Sequence, residues 1–429
     1  MLEASGEVWQ RTTLGAVARR LVNGGTPPTE IEAFWNGMIP WITGADFTPR
    51  GVEEFRRFVS DAAVRQTSTN VIQRGQLLIV TRTGVGKLAL APCDIAISQD
   101  ITGLYVDETK VDPRFLFHRM RSGVQDLKKL NQGTSINGII RSDLTAYPLD
   151  LPPLPVQRRV AEILSTLDSA IEQTENFIAK HRQIRLGIAQ KIFMHGLQQN
   201  RENSSRETRF GLIPAHWQIG SLADVTDRYR QPILTGPFGA ELGNDDFVEE
   251  GVPILRIGNV QHGRMDLRDL LFVKPSKARQ LQRYTVREGD LLFARQGATT
   301  GRNALASRET SGFLINYHII RVALDHARCA PLFIEAAFAS DLILRQIERD
   351  KGRGTREGIN TAQLTALQVP IAPIAEQRRI AEILEEASAQ LKLAEEELHK
   401  LESIRRGLAR DLFEGRWCGM TDSLALGAA

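Results

Sequence analysis

The sequence predicts an α+β protein with an internal pseudo-two-fold repeat, in which two mixed α/β modules are separated by a pair of long antiparallel coiled-coil helices. Three observations predict it. The block Gln157-Arg158-Arg159-Val160-Ala161-Glu162-Ile163-Leu164 recurs as Gln377-Arg378-Arg379-Ile380-Ala381-Glu382-Ile383-Leu384, with one Val/Ile exchange, at an offset of 220 residues (377 − 157). Each copy opens a stretch whose apolar residues recur in steps of four and three, the period of a helix with one apolar seam. Weaker matches upstream of each block keep their order along the chain, as a duplicated unit requires.

The first module is placed at 1–152. Its Trp9-Gln10 start, with Leu14 and Val17, is answered by Trp217-Gln218 with Leu222 and Val225 at the head of the second module, placed at 210–370. Arg74 to Arg82 resembles Arg287 to Arg295 in the same way. The offset grows from 208 to 220 along the chain, which places small insertions in surface loops of the second module. Short runs such as Leu77–Thr81, Leu291–Ala294 and Leu314–Val322 read as strands, and Leu332–Glu348 reads as helical.

The helices follow at 153–197 and 371–416. Val160, Leu164, Leu167, Ile171, Thr174 and Ile178 form one seam, and Ile380, Leu384, Ala387, Leu391, Ala394, Leu398 and Leu401 the other. Pro152, Pro153 and Pro155 stand before the first run, and Pro370 and Pro373 before the second, where proline sets the entry of a helix without breaking it. At about 1.5 Å per residue each helix reaches roughly 50 Å, more than a compact domain needs, so both read as spacers. Acids and bases are mixed along both, as on solvated and interhelical faces rather than a phosphate-binding tract. The polar stretch 198–209 reads as a linker and 417–429 as a tail.

Composition narrows the function classes. Of 429 residues, 42% are apolar and 24% charged, and no apolar run has the eighteen or so residues of a membrane span. No membrane association is expected, and the opening Met1 to Glu7, with two acids and no basic-then-apolar pattern, points to a cytoplasmic chain. Cys93, Cys329 and Cys418 are too few and too far apart for a disulfide framework or a CxxC knuckle. The eight histidines show no HExxH or HxH spacing, so no metal is expected. Thr83-Gly84-Val85-Gly86-Lys87-Leu88 has Leu88 where a phosphate loop needs Ser or Thr. Asp94, Glu108 and Lys110 have nuclease-like spacing but no counterpart in the second half, and no methyl-donor site is visible. No catalytic residue is assigned.

What remains is a geometry for recognising two separated features at once, and if nucleic acid is bound, a net charge of +3 requires positive charge to be gathered on particular loops. Arginine can grip guanine, Asn and Gln can grip adenine, and glycine lets backbone approach a duplex. On that chemistry the candidate DNA-binding residues of the first module are Thr43, Arg82, Thr83, Lys87, Asn131, Gln132, Thr134 and Ser135. Those of the second are Arg256, Asn259, Arg295, Gln296, Thr299, Arg302, Arg353, Thr355 and Arg356. On the helices, Gln157, Arg158, Arg159, Leu164, Ile171, Gln377, Arg378, Arg379, Leu384 and Leu391 are candidates for docking a partner and setting the spacer.

The repeated blocks, each preceded by a Gly-Thr loop (Gly133-Thr134 and Gly354-Thr355), the Trp-initiated module starts and the run Ile39 to Asp46 together resemble the specificity subunit of type I restriction-modification systems over essentially the full length. Two departures stand out: Val156 replaces the Glu seen at Glu376, and Gly138-Ile139-Ile140 lacks the Asn of Gly358-Ile359-Asn360. The resemblance implies two target recognition domains, each reading one half of an interrupted site in double-stranded DNA. It implies helices that fix the unread spacer and dock two methyltransferase subunits, with restriction subunits joining them. S-adenosylmethionine, ATP and Mg would then be held by those partners and no cofactor by this chain. Two other readings are a coiled-coil scaffold that binds only protein, and a free-standing DNA nuclease or methyltransferase.

Overall fold

The computed structural model describes residues 9–130, 138–197, 205–209, 211–239, 241–351 and 358–414. It forms two compact units, Met1–Glu175 with Glu397–Ala429, and Asn176–Glu396. The long helices Leu154–His195 and Ile374–Phe413 are thus shared out by halves. Each unit holds one module, the first half of the helix that follows it and the second half of the other helix.

In the first unit, Leu77–Val80 lies between Ile101–Val106 and Leu88–Leu90, and Ala18–Asn23 completes an antiparallel four-stranded sheet. The central run Leu77-Leu78-Ile79-Val80 is buried at every position. Covered on both faces, it reads as a continuous apolar run rather than an alternating one. A second sheet orders Phe58–Val59, Ile39–Ile42, Ile95–Ile97 and Asn70–Ile72, with the middle pair parallel at Trp41↔Ala96. The second unit repeats the first sheet strand for strand, as Ile233–Thr235, Ile319–Val322, Leu291–Ala294 and Asn303–Leu305. It repeats the parallel pair as Val252–Leu255 beside Leu314–Ile315. The hairpin of Val260–Gln261 and Arg264–Met265 answers a turn of the first module, where Thr48 and Gly51 form a single antiparallel bridge at the positions equivalent to Gln261 and Arg264.

Two expected elements are broken. Leu314–Val322 is interrupted at Asn316-Tyr317-His318, where Asn316 Oδ1 accepts from His318 N at 3.1 Å and turns the chain. Leu332–Glu348 divides into Pro331–Ala337 and Asp341–Lys351, because Phe338, Ala339 and Ser340 donate to carbonyls three residues back.

Each module is closed by a strand pair just before its helix: Gln10–Thr13 on Pro148–Leu151, and Gln218–Ser221 on Gln368–Ile371. The helices then pack into the module cores. Val160, Ala161, Leu164, Ala409 and Leu412 join the core around Phe115 and Leu116. In the second unit Ala189, Phe193, Ile380 and Leu384 do so around Trp217 and Phe333. The Val, Leu, Ile and Phe side chains among them contribute about 1.5–3 kcal/mol each when fully buried, and the alanines less. Within each unit the helix halves run antiparallel. Arg182 bonds Glu395, Arg185 bonds Ser388 and Leu197 N bonds Glu376 in the second, and Arg405 reaches back to Asp168 in the first.

Among the described residues, no helix is long and apolar enough to cross a membrane, and no group of three His, Cys, Asp or Glu side chains is placed to hold a metal ion.

Candidate nucleic-acid interface

Three backbone hydrogen bonds gather the strand-end loops of the first module. Ser98 N donates to Ile42 O at 2.9 Å, Thr81 N to Asp100 O at 2.8 Å and Gly24 N to Ile101 O at 3.2 Å. The second module repeats all three, as Asn316 N to Leu255 O (3.0 Å), Arg295 N to His318 O (3.1 Å) and Gly236 N to Ile319 O (3.1 Å). Glycine is required at the last of these in both modules. A Cβ on Gly24 would overlap the Ile97 and Ser98 carbonyl oxygens, and one on Gly236 those of Asn316 and Ile315. These bonds set the two faces in register: Thr43 answers Arg256, Arg82 answers Gln296, Gln99 answers Tyr317, and Asp100 answers His318.

In the first module this face is polar. Arg82 and Thr83 are exposed in a turn held open by positive φ at Gly84 and Gly86. Lys87 folds back from that turn, its Nζ donating to Gly44 O at 2.8 Å, which ties the turn to the loop after Thr43. Thr43 itself caps the short turn Gly44–Asp46, with its backbone N and hydroxyl donating to Asp46 Oδ2 at 2.8 and 2.9 Å. Thr26 donates to Gln99 Oε1 at 3.0 Å.

The second module carries rings on the same backbone. Phe238, 58% exposed, lies 6.0 Å from Tyr317, which is 37% exposed and sits 3.7 Å from His318. The Nδ1 of His318 donates to Gln296 Oε1 at 2.6 Å. Burial, and then the Arg295 charge, hold the imidazole below its ordinary pKa, so the ring stays neutral near pH 7. Arg295 donates to Ile359 O and Tyr317 O, both at 3.4 Å. Arg302 bonds Gln261 at 3.0 Å, Thr299 bonds the Gln296 carbonyl at 2.9 Å, and Arg256 pairs with Asp269 at 2.6 Å.

The structure therefore brings Thr43, Arg82, Thr83 and Lys87 together, and likewise Arg256, Arg295, Gln296, Thr299 and Arg302. Asn131, Gln132, Thr134, Ser135, Arg353, Thr355 and Arg356 lie outside the described residues. Asn259 is a correction. It is 4% exposed, its Oδ1 accepts from Arg256 N at 2.7 Å, and its amide donates to Asp266 O and Asp269 O. Those bonds shape a loop and leave nothing for a base. Thr26, Gln99, Asp100, Phe238, Tyr317 and His318 were not singled out by sequence reasoning. Ser98-Gln99-Asp100 and Asn316-Tyr317-His318 share no residue, so a search for similarity passes over them.

Gln157 and Gln377 are the second correction. Each is 1% exposed and holds backbone inside its own unit rather than docking a partner. Gln157 Oε1 accepts from Asp112 N at 2.9 Å while Nε2 donates to Pro152 O and Lys110 O. Gln377 Oε1 accepts from Ala330 N at 3.0 Å and Nε2 donates to Ala372 O. Each amide thus satisfies the N-cap donor of a module helix that opens on proline, Pro113 or Pro331. Leu164 and Leu384 lie in the cores of their units, Leu391 is buried on its helix and Ile171 half-buried. Of the helix block, Arg158, Arg159, Arg378 and Arg379 face solvent; Arg159 and Arg379 pair with Glu162 and Glu382 one turn on.

A fold in which one backbone face is presented twice with different side chains, each module followed by a helix that opens on nearly the same block, defines a duplicated recognition protein. The model of the type I restriction modification DNA specificity domain matches residues 6–180 and 215–403, and the chain belongs to that family. It is similar to the MjaVIII specificity subunit of Methanocaldococcus jannaschii, 20% identical over 96% of this chain and 93% of that one. It is also similar to the EcoBI specificity subunit of Escherichia coli, 21% identical over 74% and 69%. The solved type I restriction-modification S subunit of M. genitalium shares the fold, with a TM-score of 0.61 and 17% identity over 96% of this chain and 98% of that one. The chain is a DNA-specificity subunit of the type I restriction-modification class, a non-catalytic component.

Proposed function

We propose that each module reads one half of an interrupted site in double-stranded DNA, while the helices set the unread spacer and dock two methyltransferase subunits, to which restriction subunits are added. The observation that carries this reading is the repetition of one strand-end face, held by the same three backbone bonds, with different side chains in each module. One backbone scaffold with two side-chain sets is what two different half-sites require. The helix blocks, by contrast, keep their solvent-facing arginines at equivalent positions, as two docking points for one kind of partner require.

No cofactor is assigned to this chain. S-adenosylmethionine, ATP and Mg belong to the partner subunits in this reading, and the assembly works in the cytoplasm. The near-neutral charge fits such an arrangement, since partner subunits closing on the duplex can supply phosphate contacts. The test is selection from random duplexes by the chain assembled with its methyltransferase subunit. Two short motifs at a fixed separation are expected. A uniform pool would favour a scaffold that binds only protein, and turnover by the chain alone with Mg²⁺ or methyl donor would contradict the non-catalytic assignment.

A further inference from the structure

The two strand-end faces have the same backbone and opposed chemistry. In the first module Gln99 has its Oε1 occupied by the Thr26 hydroxyl, so its amide nitrogen is the group left to donate. Asp100 beside it brings a carboxylate acceptor, and Arg82 an exposed guanidinium. Donors from Arg82 fit the two acceptors of guanine in the major groove, and a carboxylate fits the amino donor of cytosine. In the second module the hydrogen bond from His318 fixes both partners. With Oε1 of Gln296 occupied and Nδ1 of His318 protonated, the Gln296 amide donates and Nε2 of the neutral imidazole accepts. An adjacent donor and acceptor match the N7 acceptor and amino donor of adenine. Phe238 and Tyr317 flank them as an exposed apolar strip, the surface that suits a thymine methyl group.

We propose that positions 82, 99 and 100 of the first module, and their equivalents 296, 317 and 318 of the second, are base-reading positions, with Thr26 and Phe238 as their flanking partners. The first set selects a G·C pair and the second an A·T pair. The contact between the flanking residue and its neighbour is kept in both modules, a hydroxyl on an amide in one and ring on ring in the other. Both members of the contact differ between the modules while the backbone gap they bridge is the same, so each pair acts as one chemical unit. This assignment rests on the modules being DNA readers, and it names where and how they read.

The experiment exchanges the two sets. In the chain assembled with its methyltransferase subunit, the second module receives F238T, Q296R, Y317Q and H318D, and in a separate variant the first receives T26F, R82Q, Q99Y and D100H. Random-duplex selection is read for each half-site separately, and melting curves check that both chains fold. Each exchange is expected to change base preference by about tenfold or more at one or two pairs of its own half-site, from A·T toward G·C in the first variant and the reverse in the second. The other half-site and the spacer should stay as they were. Should an exchanged chain fail to fold, R82A and Q296A replace it, each expected to lose about tenfold preference at one pair of its own half-site. Unchanged motifs from folded variants, or one exchange altering both half-sites, would overturn the assignment. A uniform pool from the unaltered complex would instead remove the reading beneath it.

Discussion

Gln157 and Gln377 carry more of the fold than their polarity suggests. A side-chain amide that is 1% exposed and bonded at both ends leaves buried backbone groups unpaired when it is removed. Gln157→Ala and Gln377→Ala should each lower unfolding free energy by about 1–3 kcal/mol, measured by urea denaturation. Arg158→Ala, on the solvent face, should leave it within about 0.5 kcal/mol; equal losses from all three would contradict the backbone-clamp role. His118 makes a different kind of prediction. It is buried, its Nε2 meets Ser165 Oγ at 3.0 Å, and burial pushes its pKa down to about 4. Asp168, 3.7 Å away, favours the charged ring, while Arg405, Arg121 and Arg114 oppose it. The ring is neutral in the folded chain but takes up a proton near pH 6.5 once unfolded. The His118 contribution to stability is therefore complete above about pH 6.5, falls by up to about 3 kcal/mol as the pH drops toward 4, and levels off below. His118→Gln should lose less in its melting midpoint between pH 7 and 4 than the parent chain. An equal loss would show that other groups govern the acid response.

At the scale of elements, the repeat predicts contacts that the modules then vary. Arg185 and Arg405 are equivalent at the offset of 220, and so are Ser388 and Asp168; Arg185 bonds Ser388 in one unit and Arg405 bonds Asp168 in the other. The third partner differs, for Arg185 also reaches Glu335 at 2.9 Å whereas Asp168 also takes Arg121 at 3.0 Å. Burial raises the Glu335 carboxyl against the pull of Arg185. Breaking such a pair leaves a charge without water or partner. Arg185→Met should thus cost about 3–5 kcal/mol, and adding Glu335→Leu should recover most of it, as a double-mutant cycle by calorimetry would show. A double variant no more stable than the single would mean that the ion pair is not the source of the loss. The helices and central strands were legible in the sequence because one apolar period or one buried run sets each of them. The strand-end face was not, since it is assembled from loops far apart in the chain by backbone bonds that carry no residue signature. Glu376 lies between: the departure at Val156 marked it, and the structure gives it His216, Trp217 and Leu197 N as partners within the second unit.

Across the whole molecule, the proposed spacer role falls on the helix stretch where one compact unit gives way to the other, at Glu175/Asn176 and Glu396/Glu397. Seven residues inserted in each helix there would preserve the apolar seam and add about 10 Å, the length of about three base pairs. The tolerated spacer should lengthen accordingly, with both half-sites kept, in a selection from random duplexes; new bases with an unchanged spacer would refute the ruler. The central claim, that two modules read independently, is tested most directly by replacing residues 1–152 with the corresponding domain of another specificity subunit. The selected site is then compared with that of the parent complex. One half-site should change while the other half-site and the spacer remain, whereas a change in both halves, or in neither, would contradict it.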